Sequence, residues 1–324
     1  MMNWNQLISA KRFGMEEFHE ERQENRSEFQ RDYDRLIFSA PFRRLQNKTQ
    51  VFPLPGSVFV HNRLTHSLEV ASVGRSLGDD VAKALLERHP ELQDSFLPEI
   101  GSIVSAACLA HDLGNPPFGH SGEKAISTFF SEGKGVRLKE KQPNGEQLSP
   151  MEWEDLIHFE GNANAFRILT HQFEGRRKGG FVLTYTTLAS IVKYPFSSSL
   201  AGTKSKFGFF VSEEESFRKI ATELGLILLN EHPLKYARHP LVYLVEAADD
   251  ICYQMMDIED AYKLKILTTE ETKELLMAYF SEERQEHLRK IFLIVNDVNE
   301  QIAYLRSSVI GLLIRECTRV FLDH

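Results

Sequence analysis

The chain has few cysteines and neither a membrane-length apolar run nor an excess of basic residues. Its three cysteines, Cys108, Cys252 and Cys317, are scattered and form no Cys-x-x-Cys pair. This argues against a disulfide framework or a Cys-rich zinc site and predicts reduced thiols in a cytoplasmic protein. No stretch approaches the roughly 20 apolar residues that a membrane span needs. The net charge of −8 lacks the overall basic character typical of nucleic-acid-binding domains.

Strand-like alternation is also scarce, and we expect it only at 51–60 and 207–211. Helical periodicity dominates elsewhere, as at 68–90 and from Leu241 to the end of the chain. Capping-box spacings predict helix starts at Ser149 and Thr268. We interpret the charged stretch 16–35 as a solvated helix or an entry arm. We interpret 131–148, which has no sustained period, as a surface loop. The sequence therefore predicts a mainly α fold with few short strands.

A histidine and a carboxylate stand together at the end of an apolar helix. His111 and Asp112 follow the run 101–110, and a Gly- and Pro-rich break comes next. A charged carboxylate at the edge of a buried helix is costly unless it is paired or bound to a metal. His66 and Asp249 supply a second imidazole and a second carboxylate. Two imidazoles and two carboxylates suit a six-coordinate ion such as Mn, Mg, Ni, Co or Fe.

Asp249 has a rival ligand in its neighbour Asp250, and helical spacing separates the two. Asp249, Tyr253 and Asp257 are spaced at i, i+4 and i+8, so they share one helix face. Asp250 points about 100° away in helix geometry. We therefore assign the ligand role to Asp249.

Six ordered segments of the chain resemble the HD superfamily of phosphohydrolases, with its His…His-Asp…Asp ligands, and more narrowly the bacterial dGTPase-like triphosphohydrolases. The segments are Phe42-Arg43-Arg44-Leu45, Asn62-Arg63-Leu64-Thr65-His66-Ser67, His111-Asp112-Leu113-Gly114-Asn115-Pro116-Pro117-Phe118-Gly119-His120, Phe159-Glu160-Gly161-Asn162, Lys193-Tyr194-Pro195 and Ala248-Asp249-Asp250-Ile251-Cys252-Tyr253. The resemblance covers roughly residues 30 to 320. It implies a helical bundle around a metal, forming one domain over 1–324 with a core at about 30–262 and a helical extension at 263–324. Members of the family usually continue further, so we expect a C-terminal lobe to be missing.

The resemblance also implies roles for residues around the metal. His120 and Glu123 would carry out proton transfer; the alternative is a turn-stabilising histidine and a glutamate that complements a helix dipole. The residues expected to contact substrate are Arg63, Lys193, Tyr194, Lys206 and Asn115 on the phosphates, and Gln50, Tyr253 and Asp257 around the sugar.

The implied activity is hydrolysis of dGTP or several dNTPs at the α-phosphate, giving deoxynucleoside and inorganic triphosphate. One alternative is a different HD phosphohydrolase, such as a nucleoside monophosphatase or an alarmone hydrolase. Another is a non-catalytic regulatory module that binds single-stranded nucleic acid. The family also implies a homo-oligomer, often a hexamer, and in some members a nucleotide activator.

Overall fold

The computed structural model describes residues 2–17, 26–49, 61–141, 143 and 145–323, with only the main chain of residue 204. This part of the chain is mainly helical, as predicted. The α-helices are α1 (Trp4–Leu7), α2 (Glu28–Ile37), α3 (Ala40–Arg44), α4 (Arg63–Arg88), α5 (Ile100–Ala110), α6 (His120–Ser131), α7 (Pro150–Ile157), α8 (Gly161–Thr170), α9 (Tyr185–Ile191), α10 (Glu214–Glu223), α11 (Leu241–Lys263), α12 (Thr269–Met277), α13 (Glu282–Phe292) and α14 (Val298–Asp323). Short 3₁₀ turns lie at Leu45–Asn47, Pro90–Leu92, Leu97–Glu99, Lys134–Lys139, Ser198–Leu200, Gly202–Lys204 and Val211–Glu213.

The sheet of the described residues is a single small antiparallel pair. Strand β1 (Leu228–Asn230) pairs with β2 (Lys235–Tyr236). The strand that we predicted at 207–211 is wrong, since this segment pairs with no strand and ends in a 3₁₀ turn. The predicted strand at 51–60 lies outside the described residues.

Helices α4 and α5 form the centre of the main core and pack closely against each other. A Cβ atom added at Gly74 of α4 would lie 2.5 Å from Cys108 Sγ of α5. One added at Gly78 would lie 2.7 Å from the Cα of Gly101. Since these glycines let the two backbones approach, His66 of α4 comes near the end of α5.

The helix starts follow the capping signals in the sequence. Both predicted capping boxes are present, at Ser149 with Glu152 and at Thr268 with Glu271. Helix α4 covers the predicted helix 68–90 except its last two residues. It begins earlier than its apolar pattern, because the Asn62 side chain accepts hydrogen bonds from the first turn.

The described part of the stretch 16–35, residues 16–17 and 26–35, is only partly solvated, which corrects its interpretation as a solvated helix. Arg12 is buried and pairs with the buried carboxylates of Glu28 and Asp32, with an Nη1–Oδ1 distance of 2.7 Å to Asp32. Asp32 also accepts hydrogen bonds from the backbone and the hydroxyl of Thr184. The start of α2 is therefore tied into the core beside α9.

A second apolar cluster joins α11 to the last three helices. Its buried members are Met255, Leu276, Leu288, Ile302, Leu305 and Val309. Helix α14 also packs against α4, so the C-terminal helices rest on the elements that hold the site. The division into a core at about 30–262 and an extension stays a prediction. None of the described helices combines the length and apolar character required to traverse a bilayer.

Candidate metal centre and active-site pocket

Three of the four predicted ligands form a compact cluster. One donor atom each from His66, His111 and Asp112 lies within 4.8 Å of the other two. His66 comes from the first turn of α4, while His111 and Asp112 follow the last turn of α5. The close packing of these helices therefore brings the two halves of the motif together.

Asp249 of α11 completes the set from a third helix. Its Oδ1 atom lies 3.0 Å from His66 Nε2 and 3.5 Å from His111 Nε2. It contacts both histidines but lies outside the tight group that they form with Asp112. The two imidazoles thus stand between two carboxylates.

The orientation of His111 fits a metal ligand. Its Nδ1 atom lies 2.5 Å from the carbonyl oxygen of Cys108, which accepts a hydrogen bond from Nδ1–H, so that in the neutral ring Nε2 carries the lone pair. Nε2 is buried and, among the described residues, makes no hydrogen bond. Asp112 and Asp249 flank it at 3.6 and 3.5 Å. A buried nitrogen without a partner, facing two carboxylate oxygens, is the environment that a cation would satisfy.

The electrostatics of the cluster agree with this fit. Burial disfavours a charged ring at His111, yet Asp112 and Asp249 outweigh it and raise its pKa to about 9. Burial likewise opposes ionisation of both carboxyl groups, but His111 and His66 keep the pKa of each below its usual range. The site therefore attracts positive charge, which a divalent cation provides.

Two further side chains orient Asp112. Arg63 Nη1 donates to Oδ2 at 2.6 Å, and Asn115 Nδ2 donates to Oδ1. The sequence assigned both residues to substrate phosphates. In this structure both line the pocket and contact Asp112.

The metal cluster opens into a cavity of about 300 Å³, a size typical of small-molecule sites. Twelve of the fourteen predicted site residues line it: His66, His111, Asp112, Asp249, His120, Glu123, Arg63, Asn115, Lys193, Tyr194, Lys206 and Tyr253. Gln50 lies outside the described residues. Asp257 is not among the lining residues, although it is on the same helix as Tyr253.

His120 and Glu123 form a hydrogen-bonded pair at the start of α6. His120 Nδ1 lies 2.7 Å from Glu123 Oε2, and the His120 side chain is 85% exposed, while that of Glu123 is 11% exposed. The other Glu123 oxygen accepts a hydrogen bond of 2.8 Å from the backbone of Gly161. A fixed carboxylate and an accessible imidazole therefore stand at one side of the pocket.

Both predicted lysines are held by carboxylates. Lys193 Nζ lies 2.9 Å from Glu246, and Lys206 Nζ lies 2.8 Å from Glu160. Burial lowers the pKa of each ammonium, but the paired glutamate outweighs it and raises the pKa. Both lysines therefore stay cationic beside the pocket.

Comparison with known proteins finds a family whose model covers three of the four proposed ligands. A model of the HD domain family matches residues 63–176, the range that holds His66, His111 and Asp112. A deoxyguanosinetriphosphate triphosphohydrolase-like protein of Synechocystis is 41% identical over 332 residues, covering 100% of this chain and 72% of the relative. A protein of the same name from Pseudomonas aeruginosa is 42% identical, covering 99% and 71%.

The chain belongs to the deoxyguanosinetriphosphate triphosphohydrolase-like family. A deoxyguanosinetriphosphate triphosphohydrolase of Yersinia enterocolitica is 36% identical over 304 residues, covering 83% of this chain and 57% of that protein. With the HD domain and the cluster of donors, family membership identifies a metal-dependent phosphohydrolase. The resemblance seen in the sequence is confirmed at this level.

Several lining residues of this family member were not assigned from the sequence. Glu160 and Glu246 line the pocket and hold the two lysines, and Phe118 is exposed at its wall. Glu160 had a signal in the sequence, because it belongs to the segment Phe159-Glu160-Gly161-Asn162; in the structure it is the N-cap residue of α8. Among its neighbours in the chain, Asn162 lines the pocket and His158 does not.

Proposed function

We propose that this protein hydrolyses a deoxynucleoside triphosphate at the α-phosphate and releases deoxynucleoside and inorganic triphosphate. The observation that carries the proposal is that the donor cluster, the His120–Glu123 pair and two cationic lysines line one cavity. The names of the relatives favour dGTP as a substrate.

His66, His111, Asp112 and Asp249 would hold the metal, for which Mn, Mg, Ni, Co and Fe are the candidates. When bound, such an ion polarises a phosphate oxygen and lowers the pKa of coordinated water. Arg63 and Asn115 fix the carboxylate of Asp112 in its place in this set.

His120 is the residue proposed to give a proton to the departing 5′ oxygen. Glu123 occupies its Nδ1 side, so Nε2 is the nitrogen left for the substrate. Because the imidazole is largely exposed, a bound nucleotide can reach it. Positioned general acids of this kind contribute roughly 10²–10⁴-fold to a rate.

Lys193 and Lys206 would bind the triphosphate. Each already has a carboxylate partner, so the ammonium groups are held at the pocket before substrate arrives. Tyr194 lies beside Lys193, whose Nζ is 5.9 Å from the centre of its ring, and its hydroxyl is proposed as a further donor to phosphate. Charge-assisted contacts of this kind are the stronger class of phosphate interaction.

Tyr253 is proposed to select the deoxyribose. Its ring stands edge-on to that of His66, with the centroids 6.3 Å apart, and remains 41% exposed within the pocket. A bulky ring against C2′ would exclude a 2′-hydroxyl. Asp257 and Gln50 stay proposed sugar contacts.

The test is a panel of the four dNTPs and the four rNTPs with Mn, Mg, Co and Ni, with products separated by anion-exchange chromatography. We expect nucleoside and triphosphate from at least one dNTP, and none from an Asp112→Ala control. Nucleoside monophosphates and alarmones are assayed alongside, and turnover of these alone would indicate the alternative phosphohydrolases. Salt-dependent binding of single-stranded nucleic acid, with no turnover, would indicate the regulatory module. Repeating the panel with added nucleotides tests for an activator, and sedimentation velocity tests the proposed homo-oligomer, including a hexamer.

A further inference from the structure

Gly161, the first residue of α8, lies against two side chains of the pocket at once. A Cβ atom added there would lie 2.2 Å from Asn115 Oδ1 and 2.8 Å from Glu123 Oε1. The backbone nitrogen of Gly161 also donates to Glu123 Oε1 at 2.8 Å. The ends of Asn115 and Glu123 thus occupy the space that a side chain at residue 161 would fill.

Asn115 and Glu123 contact different parts of the site, the metal cluster and the proposed proton-transfer pair. Asn115 donates to Asp112 in the metal cluster. Glu123 accepts from His120, at 2.7 Å. One backbone position therefore borders both the metal side and the proton-transfer side.

The backbone conformation does not explain why this residue is glycine. Gly161 is within a regular helix and is not among the residues with positive φ. Helix formation does not require glycine either, because alanine is the better helix former. The reason for glycine at this position is steric, and the atoms that need the space are functional ones.

We propose that Gly161 is a positioning residue, whose lack of a side chain sets the placement of Glu123 beside His120 and of Asn115 beside Asp112. The inference rests on the proposed function, because it assigns these pairs to one reaction. Its effect on the reaction is indirect, through Asn115 and Glu123.

Gly161→Ala is the direct test, because the three atoms nearest to the added methyl all belong to the ends of the Asn115 and Glu123 side chains. The protein should fold, and Glu123 and Asn115 should move instead. Small misplacements of reacting groups cost about 100-fold in rate, so we expect kcat to fall by about that factor with a melting temperature near that of the wild type.

Two other glycines provide matched controls. At Gly114 an added Cβ would lie 2.0 Å from the backbone oxygen of Gly161 and 2.2 Å from the backbone nitrogen of Ala165, so Gly114→Ala should destabilise the fold. At Gly311 in α14 the nearest atom would be 3.6 Å away. Gly311→Ala should therefore leave both stability and kcat close to the wild type.

A double-mutant cycle separates positioning from a general structural effect. If Gly161 acts largely through Glu123, adding Gly161→Ala to Glu123→Gln should lower kcat by less than about threefold, because residues that act as a unit are not additive. A full further 100-fold loss both in this double variant and in the matching double variant with Asn115→Ala would overturn the proposal.

A crystal structure of Gly161→Ala without substrate gives a readout independent of activity. We expect the contact between His120 Nδ1 and Glu123 to lengthen beyond hydrogen-bond distance. Retention of this contact together with that of Asn115 to Asp112 would contradict the inference, and so would a variant that does not fold. If the wild type releases no triphosphate from any dNTP, the proposed function fails, while the crystal structure still decides the role of Gly161.

Discussion

Asp249 Oδ1 lies 3.0 Å from His66 Nε2, although 183 positions separate the two residues in the chain. The contact exists because α11 packs on α4, and His111 at the end of α5 stands 3.5 Å from the same oxygen. The metal centre is therefore held by the packing of three helices.

Substitution of a metal-ligating side chain should abolish metal binding without unfolding the protein. We expect His111→Ala and Asp249→Ala each to lose most of the bound metal, measured by elemental analysis after dialysis. Asp250→Ala is the matched control and should keep its metal, because the Asp250 carboxylate is not among the residues that line the pocket. Wild-type metal content in Asp249→Ala, or equal losses in both aspartate variants, would contradict the assignment.

Loss of the His120 imidazole should affect turnover more than binding. His120→Ala should lower kcat by roughly 10²–10⁴, the range for general acid–base groups, while metal content and KM change little. The control is His89→Ala, since His89 is exposed and outside the pocket. A near wild-type kcat in His120→Ala would leave the histidine with a structural role only.

Shortening Tyr253 should weaken discrimination between sugars. In Tyr253→Ala the ratio of kcat/KM for dGTP over GTP should fall, because the space next to C2′ opens. Tyr243→Ala is the control, since Tyr243 is exposed on the same helix but does not line the pocket. An unchanged ratio would direct attention to Gln50, the other residue proposed to contact the sugar.

Asp257 is the proposed acceptor of the 3′-hydroxyl. A site built around that hydroxyl should turn over 2′,3′-dideoxy analogues poorly, because the acceptor is left unpaired. In Asp257→Asn the preference for the 3′-hydroxyl should shrink. Equal discrimination in the wild type and Asp257→Asn would place the recognition elsewhere, in keeping with the position of Asp257 outside the lining residues.

The stability of the protein should depend on pH through His239. Burial lowers the pKa of this ring from 6.5 to about 4, and the backbone carbonyl of Leu7 partly opposes this. The neutral ring contacts the Leu7 carbonyl through Nε2 and accepts from Leu241 N at Nδ1. Its contribution to stability is thus present above about pH 6.5 and is lost as the pH falls toward 4.

Urea unfolding at pH 7 and at pH 5 checks this expectation. The wild type should lose more stability between the two values than His239→Gln, which has no titrating ring. His89→Gln, an exposed control, should behave like the wild type. Equal losses in wild type and His239→Gln would show that other groups cause the pH dependence.

The sequence predicted best what depends on local pattern. The helix predicted at 68–90, observed as Arg63–Arg88, follows from short-range spacing, as do the capping boxes. The structure also brings His66, His111 and Asp112 of the ligand motif together. The strand predicted at 207–211 is wrong because Phe207 and Phe209 are buried without pairing as a strand.

Contacts between residues that are far apart in the chain could not be predicted from the sequence. The pairing of Arg12 with Asp32, and that of Lys206 with Glu160, depend on tertiary packing that no local pattern encodes. The same holds for Gly161, whose steric role becomes visible only when Asn115 and Glu123 are placed beside it.

The most direct test of the proposed chemistry is hydrolysis of dGTP in ¹⁸O-labelled water, with mass spectrometry of both products. Attack at the α-phosphate predicts one ¹⁸O atom in the inorganic triphosphate and none in the deoxyguanosine. Label in the nucleoside, or release of orthophosphate or pyrophosphate in place of triphosphate, would contradict the account.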